Sequence, residues 1–122
     1  MLDKDDLSKS PLSLDDLQKI EDTKLPALER HHLRLLAHCL FSFKSMSKGL
    51  NSGTFPVDKT RIEWCLQQPS VVNDHTFLPV LLDQFSAAAK QLEKLALSLS
   101  ITPLELTLND LIQASANGSR II

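Results

Sequence analysis

Tyrosine is absent from this 122-residue chain, and glycine occurs only three times. With leucine dominating the apolar set, that composition leans towards helices, because strands favour Val, Ile, Thr and aromatic residues. Cysteine is scarce as well. Cys39 and Cys65 fall in predicted helices with apolar neighbours. That excludes the dense disulfide framework of a small secreted domain and predicts two buried, reduced thiols. No apolar run follows a basic start at the N-terminus, so no secretory signal is expected. Apolar stretches are broken by charge well before the ~18 residues of a membrane span. The expected setting is cytoplasmic, without membrane contact.

A dominant charge is also missing. The formal net charge of −2 leaves no overall field to draw the protein onto nucleic acid or an anionic membrane. The charge is unevenly spread, however. Residues 1–24 carry seven acids against four lysines, whereas residues 25–50 carry Arg30, Arg34, Lys44 and Lys48 against Glu29 alone. At this length the chain fits one domain, and 43% hydrophobic with 23% charged residues argues for a packed core rather than disorder.

What the sequence does contain is helical periodicity. Residues 1–12 read as a flexible acidic tail. Ser13 is placed to cap a short first helix over 14–23, with Asp15 and Asp16 in its first turn and Leu14, Leu17 and Ile20 on one face. Pro26 breaks that helix and opens a second, to about residue 47. Leu28, Leu35, Leu36, Cys39, Phe43 and Met46 follow the 3.6-residue period there, and Leu33, Ala37 and Leu40 widen the stripe. The opposite face holds Arg30, His31, Arg34, His38, Ser42 and Ser45. A loop over 48–57, with Gly49, Gly53 and Pro56, returns Phe55 to the core.

A third, short helix is expected over 58–68, capped by Asp58 and stopped by Pro69, with Ile62, Cys65 and Leu66 inward and Trp64 on a flank. The fourth, over 74–100, is the most regular feature. Leu81, Phe85, Ala88, Leu92, Leu95 and Leu99 recur at steps of four and three, broadened by Leu78, Leu82, Ala89 and Ala96. A fifth helix should start at Pro103 behind the capping box Thr102–Glu105, with Ile101 and Leu106 as its staple and Leu104, Leu108, Leu111 and Ile112 buried. The expected fold is all-α: a compact bundle of four to five helices, two long and central, three shorter. One domain spans 13–115, and 116–122 form a frayed tail.

Chemistry-bearing constellations are missing. His31, His32 and His38 share a helix with Cys39, but at spacings of one, six and seven rather than the four that lets two ligands reach one ion. The seven-residue pairs lie about 10 Å apart along the axis. Neighbouring Cys39 and His38 point about 100° apart and cannot pair as nucleophile and base. Paired carboxylates occur only in the tail and first helix, where solvent keeps them ionised. Gly49 and Gly53 flank no lysine-plus-hydroxyl signature, so no phosphate loop is present. No catalytic, metal or cofactor residue is assigned, and no cofactor is expected. An enzyme would need a site assembled from distant residues such as His32, His38, Cys39, Cys65 and His75.

Two surfaces remain for partners. Arg30, His31, Arg34 and His38 form a positive stripe about two turns long, suited to an acidic partner helix or a phosphate and otherwise a solvated face balanced by the acids of the first helix. The loop 48–57 is a second contact region. The seam Leu81, Phe85, Leu92, Leu95 and Leu99 is either the monomer core or a homodimer interface. Finally, residues 92–112 resemble a helix-turn-helix: a small residue in the first helix, a turn, then Ile101 and the capping Thr102. Ser100 stands where that pattern has glycine, and Pro103–Asp110 carries two acids and no cation for phosphates or base edges. The leading expectation is a non-catalytic adaptor domain that binds another protein, with a homodimer as an open variant. A helix-turn-helix-like regulator of nucleic acid ranks second.

Overall fold

The structure, a computed structural model, describes residues 12–117. Among these the chain is all-helical and has no strand. Six α-helices follow one another: α1 (Leu14–Glu21), α2 (Ala27–Met46), α3 (Asp58–Cys65), α4 (Pro69–Asn73), α5 (Phe77–Ser98) and α6 (Leu108–Ala116). A 3₁₀ turn, Pro103–Glu105, lies between the last two. The all-α bundle expected from the sequence is therefore present, with one helix more. Of the tails expected at 1–12 and 116–122, residues 1–11 and 118–122 lie outside the described residues, and Ala116 is the last residue of α6. Leu12, assigned to the tail by composition, is buried in the core.

Local chemistry sets the first boundaries. The Ser13 hydroxyl accepts from the Asp16 amide at 3.0 Å, and the Asp16 carboxylate accepts from the Ser13 amide at 3.2 Å. This reciprocal box satisfies two of the orphan donors of α1. Pro26 is the N-cap of α2, after Leu25. Helix α2 buries Leu33, Leu36, Ala37, Cys39, Leu40, Phe43 and Met46 as its period requires. Leu35, expected on the buried stripe, is only half-buried, and two further assignments change. Leu28 is 76% exposed, and Ser42, placed outward by its polarity, is fully buried. Its hydroxyl donates to the His38 carbonyl at 2.8 Å, so no polar group is stranded.

Prolines and capping boxes redraw the second half. Helix α3 is capped by Val57 rather than Asp58 and ends at Cys65. Gln68 is extended, as residues before proline prefer, and Pro69 occupies the first position of α4 instead of merely stopping α3. Only Cys65 of the expected inward set is fully buried, because Ile62 and Leu66 reach solvent and Trp64 packs on the core. The expected helix from Pro103 is interrupted. Thr102 and Glu105 do form a box, but around the 3₁₀ turn, and a second box from Thr107 and Asp110 opens α6. Leu104, Leu106 and Leu108 alternate through this break and all are buried.

The most extensive packing is α2 against α5, followed by α2 against α6. Their shared core centres on Phe43. Its ring stacks on Phe55 at 4.5 Å and meets Phe85 at 5.3 Å, while Trp64 contacts Phe85 edge-on at 5.9 Å. The Arg61 guanidinium lies over the Phe43 ring, 5.0 Å from its centroid. Phe55, expected to fold back from the loop, does so.

Candidate functional site

The positive stripe on α2 is already engaged. Arg34 Nη1 donates to Glu21 Oε2 at 2.9 Å, and Arg30 Nε lies 3.3 Å from Glu21 Oε1. Arg30 Nη1 also donates to the Leu25 carbonyl at 2.5 Å. The Arg30 Nε is buried and close enough to Glu21 for ion pairing, but no hydrogen-bond partner is aligned with it. One acid of α1 thus bridges two cations of α2 and fixes the corner between the helices. His31 is exposed, and His38 is half-buried.

Burial holds the His38 pKa below its ordinary value of 6.5. The unfolded chain therefore takes up this proton at a higher pH than the folded protein. Stability is full above about pH 6.5 and falls as the pH drops towards the lower folded value. Thermal melts between pH 8 and 5 should show this decline, and His38→Gln should flatten the part of it that begins near pH 6.5.

His32 and the two thiols have structural places, while His75 is exposed. The His32 ring meets the Gln91 side-chain oxygen through Nε2 at 3.1 Å, joining α2 to α5. Both thiols are free and buried. Desolvation pushes Cys39 up to about 12 and Cys65 up to about 11, which keeps them protonated and poorly nucleophilic. Among the described residues, no three His, Cys, Asp or Glu side chains are grouped to hold a metal ion.

The α5 seam divides along its length. Leu81, Phe85, Ala88 and Leu92 are buried within the single chain, Leu95 is half-buried, and Leu99 is exposed. Packing in the monomer thus takes up Leu81, Phe85 and Leu92, and leaves Leu99 open. In the segment 92–112, Leu104, Leu106, Leu108 and Leu111 point into the core, while Glu105, Thr107 and Asn109 face solvent. Residues 103–110 contain no lysine or arginine, and the exposed cation of the segment is Lys94 on α5.

The 48–57 loop is tied to the corner after α5. The Gly53 amide donates to Thr102 Oγ1 at 2.8 Å, and the Leu104 amide donates to the Gly53 carbonyl at 3.0 Å. Gly53 has φ +109°, a left-handed conformation that side-chain-bearing residues rarely adopt; the space around it is open, so the backbone alone requires glycine. Thr102 Oγ1 also donates to Glu105 Oε2 at 2.7 Å. Lys44 closes the assembly by donating to the Leu104 carbonyl at 2.6 Å; burial lowers its pKa, with Asp110 acting in the opposite sense. Thr102→Ala removes both the cap and the acceptor of Gly53. It should cost about 1–2 kcal/mol, read as a shift in the denaturation midpoint at unchanged slope.

What the sequence reading did not single out is apolar surface. Ile62, Leu66, Val72, Phe77 and Val80 are all exposed, from 38% at Ile62 to 57% at Val72. They fall within nineteen residues of chain, whereas Leu14, Leu28, Leu50, Val57, Leu97 and Leu99 are exposed elsewhere along it. The available signal was the spacing of Phe77 and Val80, which lie off the heptad seam of α5. Scattered exposed leucines are ordinary, whereas contiguous exposed apolar patches are where contact surfaces form.

The described residues thus form a helical domain with buried thiols, a His32 that joins two helices, and exposed apolar side chains over α3, α4 and the start of α5. The model of one family, NDH complex assembly factor CRR9, matches residues 12–121. That match covers the whole described fold, and the chain belongs to the CRR9 family. No curated protein and no solved structure matches the chain. No helix among the described residues is long and apolar enough to cross a membrane.

Proposed function

We propose that this protein is a non-catalytic assembly factor of the NDH complex, which holds a subunit or a partly built intermediate through protein contacts. Family membership over residues 12–121 supports the role. The observation that carries the contact mode is the concentration of exposed apolar side chains on α3, α4 and the start of α5. A factor of this kind covers apolar surface on an unfinished partner and is displaced when the permanent neighbour arrives. The buried thiols and the helix-joining His32 support the same reading.

Deletion of the gene tests the role. Cells without the protein should fail to accumulate the intact NDH complex on native gels, and the wild-type chain should restore it. Cys39→Ala and Cys65→Ala variants, provided they remain folded, should restore it equally. Normal accumulation of the complex without the protein would reject the assembly role. Failure of the folded cysteine variants would reject the non-catalytic reading.

A further inference from the structure

The surface over α3, α4 and the first turn of α5 combines exposed apolar side chains with an excess of acids. Ile62 of α3 and Leu66 at its C-cap lie four residues apart, on one side of the helix. Val72 belongs to α4, and Phe77 and Val80 stand one turn apart on α5. The connecting chain is closely folded. The Val71 and Val72 amides both donate to the Gln68 carbonyl, the Phe77 amide to that of Asp74, and the Leu78 amide to that of His75. Helices α3 and α4 each pack on α5, and Cys65, Val71, Leu81 and Phe85 form a buried floor beneath.

Residues 62–89 contain Glu63, Asp74 and Asp83 but no lysine or arginine. All three acids are exposed, and among the described residues none of them joins an ion pair. Hydrogen bonds from the Thr76 hydroxyl and amide hold the Asp74 carboxyl below its usual pKa, so it stays charged. The adjacent cation, Arg61, is turned inward over Phe43, with its Nε donating to the Pro56 carbonyl at 2.8 Å. The face therefore carries exposed apolar side chains and three unpaired acids, with Lys59, one turn before Ile62 on α3, as the exposed cation beside it.

We infer that this face docks an amphipathic helix of a partner protein whose apolar stripe is flanked by lysine or arginine. The inference rests on the contact role proposed above and gives the partner a chemistry. Apolar side chains supply the contact area, and the exposed carboxylates select the sign of the incoming charge and speed the encounter. The same charge repels nucleic acid and anionic membranes. It also disfavours a second copy, because a twofold interface on this patch sets like acids against one another.

The full chain, isotope-labelled for NMR, is titrated with a synthetic amphipathic helix of leucine and lysine, and with its leucine–glutamate counterpart. The lysine peptide should perturb amides within 62–83 and bind at least about tenfold more tightly than the glutamate peptide, with affinity falling as salt is raised. A Val72→Lys/Phe77→Lys double variant with unchanged circular dichroism should lose at least about tenfold in affinity. Leu28→Lys, at an exposed leucine elsewhere, should bind like the wild type. Perturbations centred on 25–50, equal binding of the two peptides, or self-association abolished by the double variant would overturn the proposal. The assembly role is judged separately. If the wild type is required for the NDH complex and the double variant restores it fully, the face is wrong and the role stands. If the complex forms without the protein, the role is wrong, and the titration still decides the chemistry of the face.

Discussion

Phe43→Ala should lower the unfolding free energy by about 3–5 kcal/mol, the largest loss expected from a single truncation in this fold. The ring is fully buried on α2 and is shared by three elements: Phe55 of the loop, Phe85 of α5 and Arg61 of α3. Removing it deletes apolar burial and leaves a cavity. It also withdraws the surface on which the Arg61 guanidinium rests, 5.0 Å from the ring centroid. In a domain of this size each kcal/mol moves the melting temperature by about 3–6 °C, so a fall of at least about 10 °C is expected by calorimetry. Phe43→Leu, which keeps most of the volume, should lose much less. A fall below about 3 °C for Phe43→Ala would show that the aromatic centre is not packed as described.

Leu106→Ala should cost about 2–5 kcal/mol for a different structural reason. Leu106 is fully buried although it belongs to no α-helix; it is the C-cap of the 3₁₀ turn, between Glu105 and the N-cap Thr107. Were α6 continuous from Pro103, Leu104 and Leu106 would point about 200° apart around the helix, and one of them would tolerate alanine. The break places both inward. Urea denaturation of Leu104→Ala and Leu106→Ala should therefore show two large losses of similar size, whereas one near-neutral variant would restore the continuous helix.

That break shows where sequence reading reaches its limit. The box Thr102-x-x-Glu105 is visible as a start signal, and it forms. A second box, Thr107-x-x-Asp110, follows five residues later, and an N-cap residue takes extended rather than helical geometry. Thr107, at φ −123° and ψ 166°, therefore ends one element and opens the next. Alternating leucines at 104, 106 and 108 were the trace of this in the sequence, because a period of two does not suit a helix buried on one side. Pro69 is a similar case. Proline is compatible both with stopping one helix and with starting another, and only the extended Gln68 decides for the second.

Long periodic elements were legible because the same few side chains satisfy both period and burial. The run Leu81, Phe85, Ala88, Leu92 was read from spacing and is buried as read. Period identifies a face but not how far along the helix a neighbour reaches, which is why Leu28 and Leu99 are on the predicted stripe and yet exposed. The positive stripe on α2 was legible as composition. Its capture by Glu21 was visible only as a balance of charge between neighbouring helices, since pairing across a corner depends on the angle of Leu25–Pro26. The apolar face on α3, α4 and α5 was hidden for a related reason. Ile62 and Leu66 have the spacing of core residues, and nothing in their identity reveals that the chain turns away at Pro69 without covering them.

The central claim is that this protein acts on the NDH complex by contact during assembly and then leaves. The direct measurement is the distribution of the tagged full-length chain on two-dimensional native gels, followed alongside an NDH subunit. The account predicts co-migration with species smaller than the finished complex, lost in the Val72→Lys/Phe77→Lys variant and kept in Leu28→Lys. Stoichiometric co-migration with the finished complex would make the protein a resident subunit, and migration only as free protein would remove it from assembly altogether.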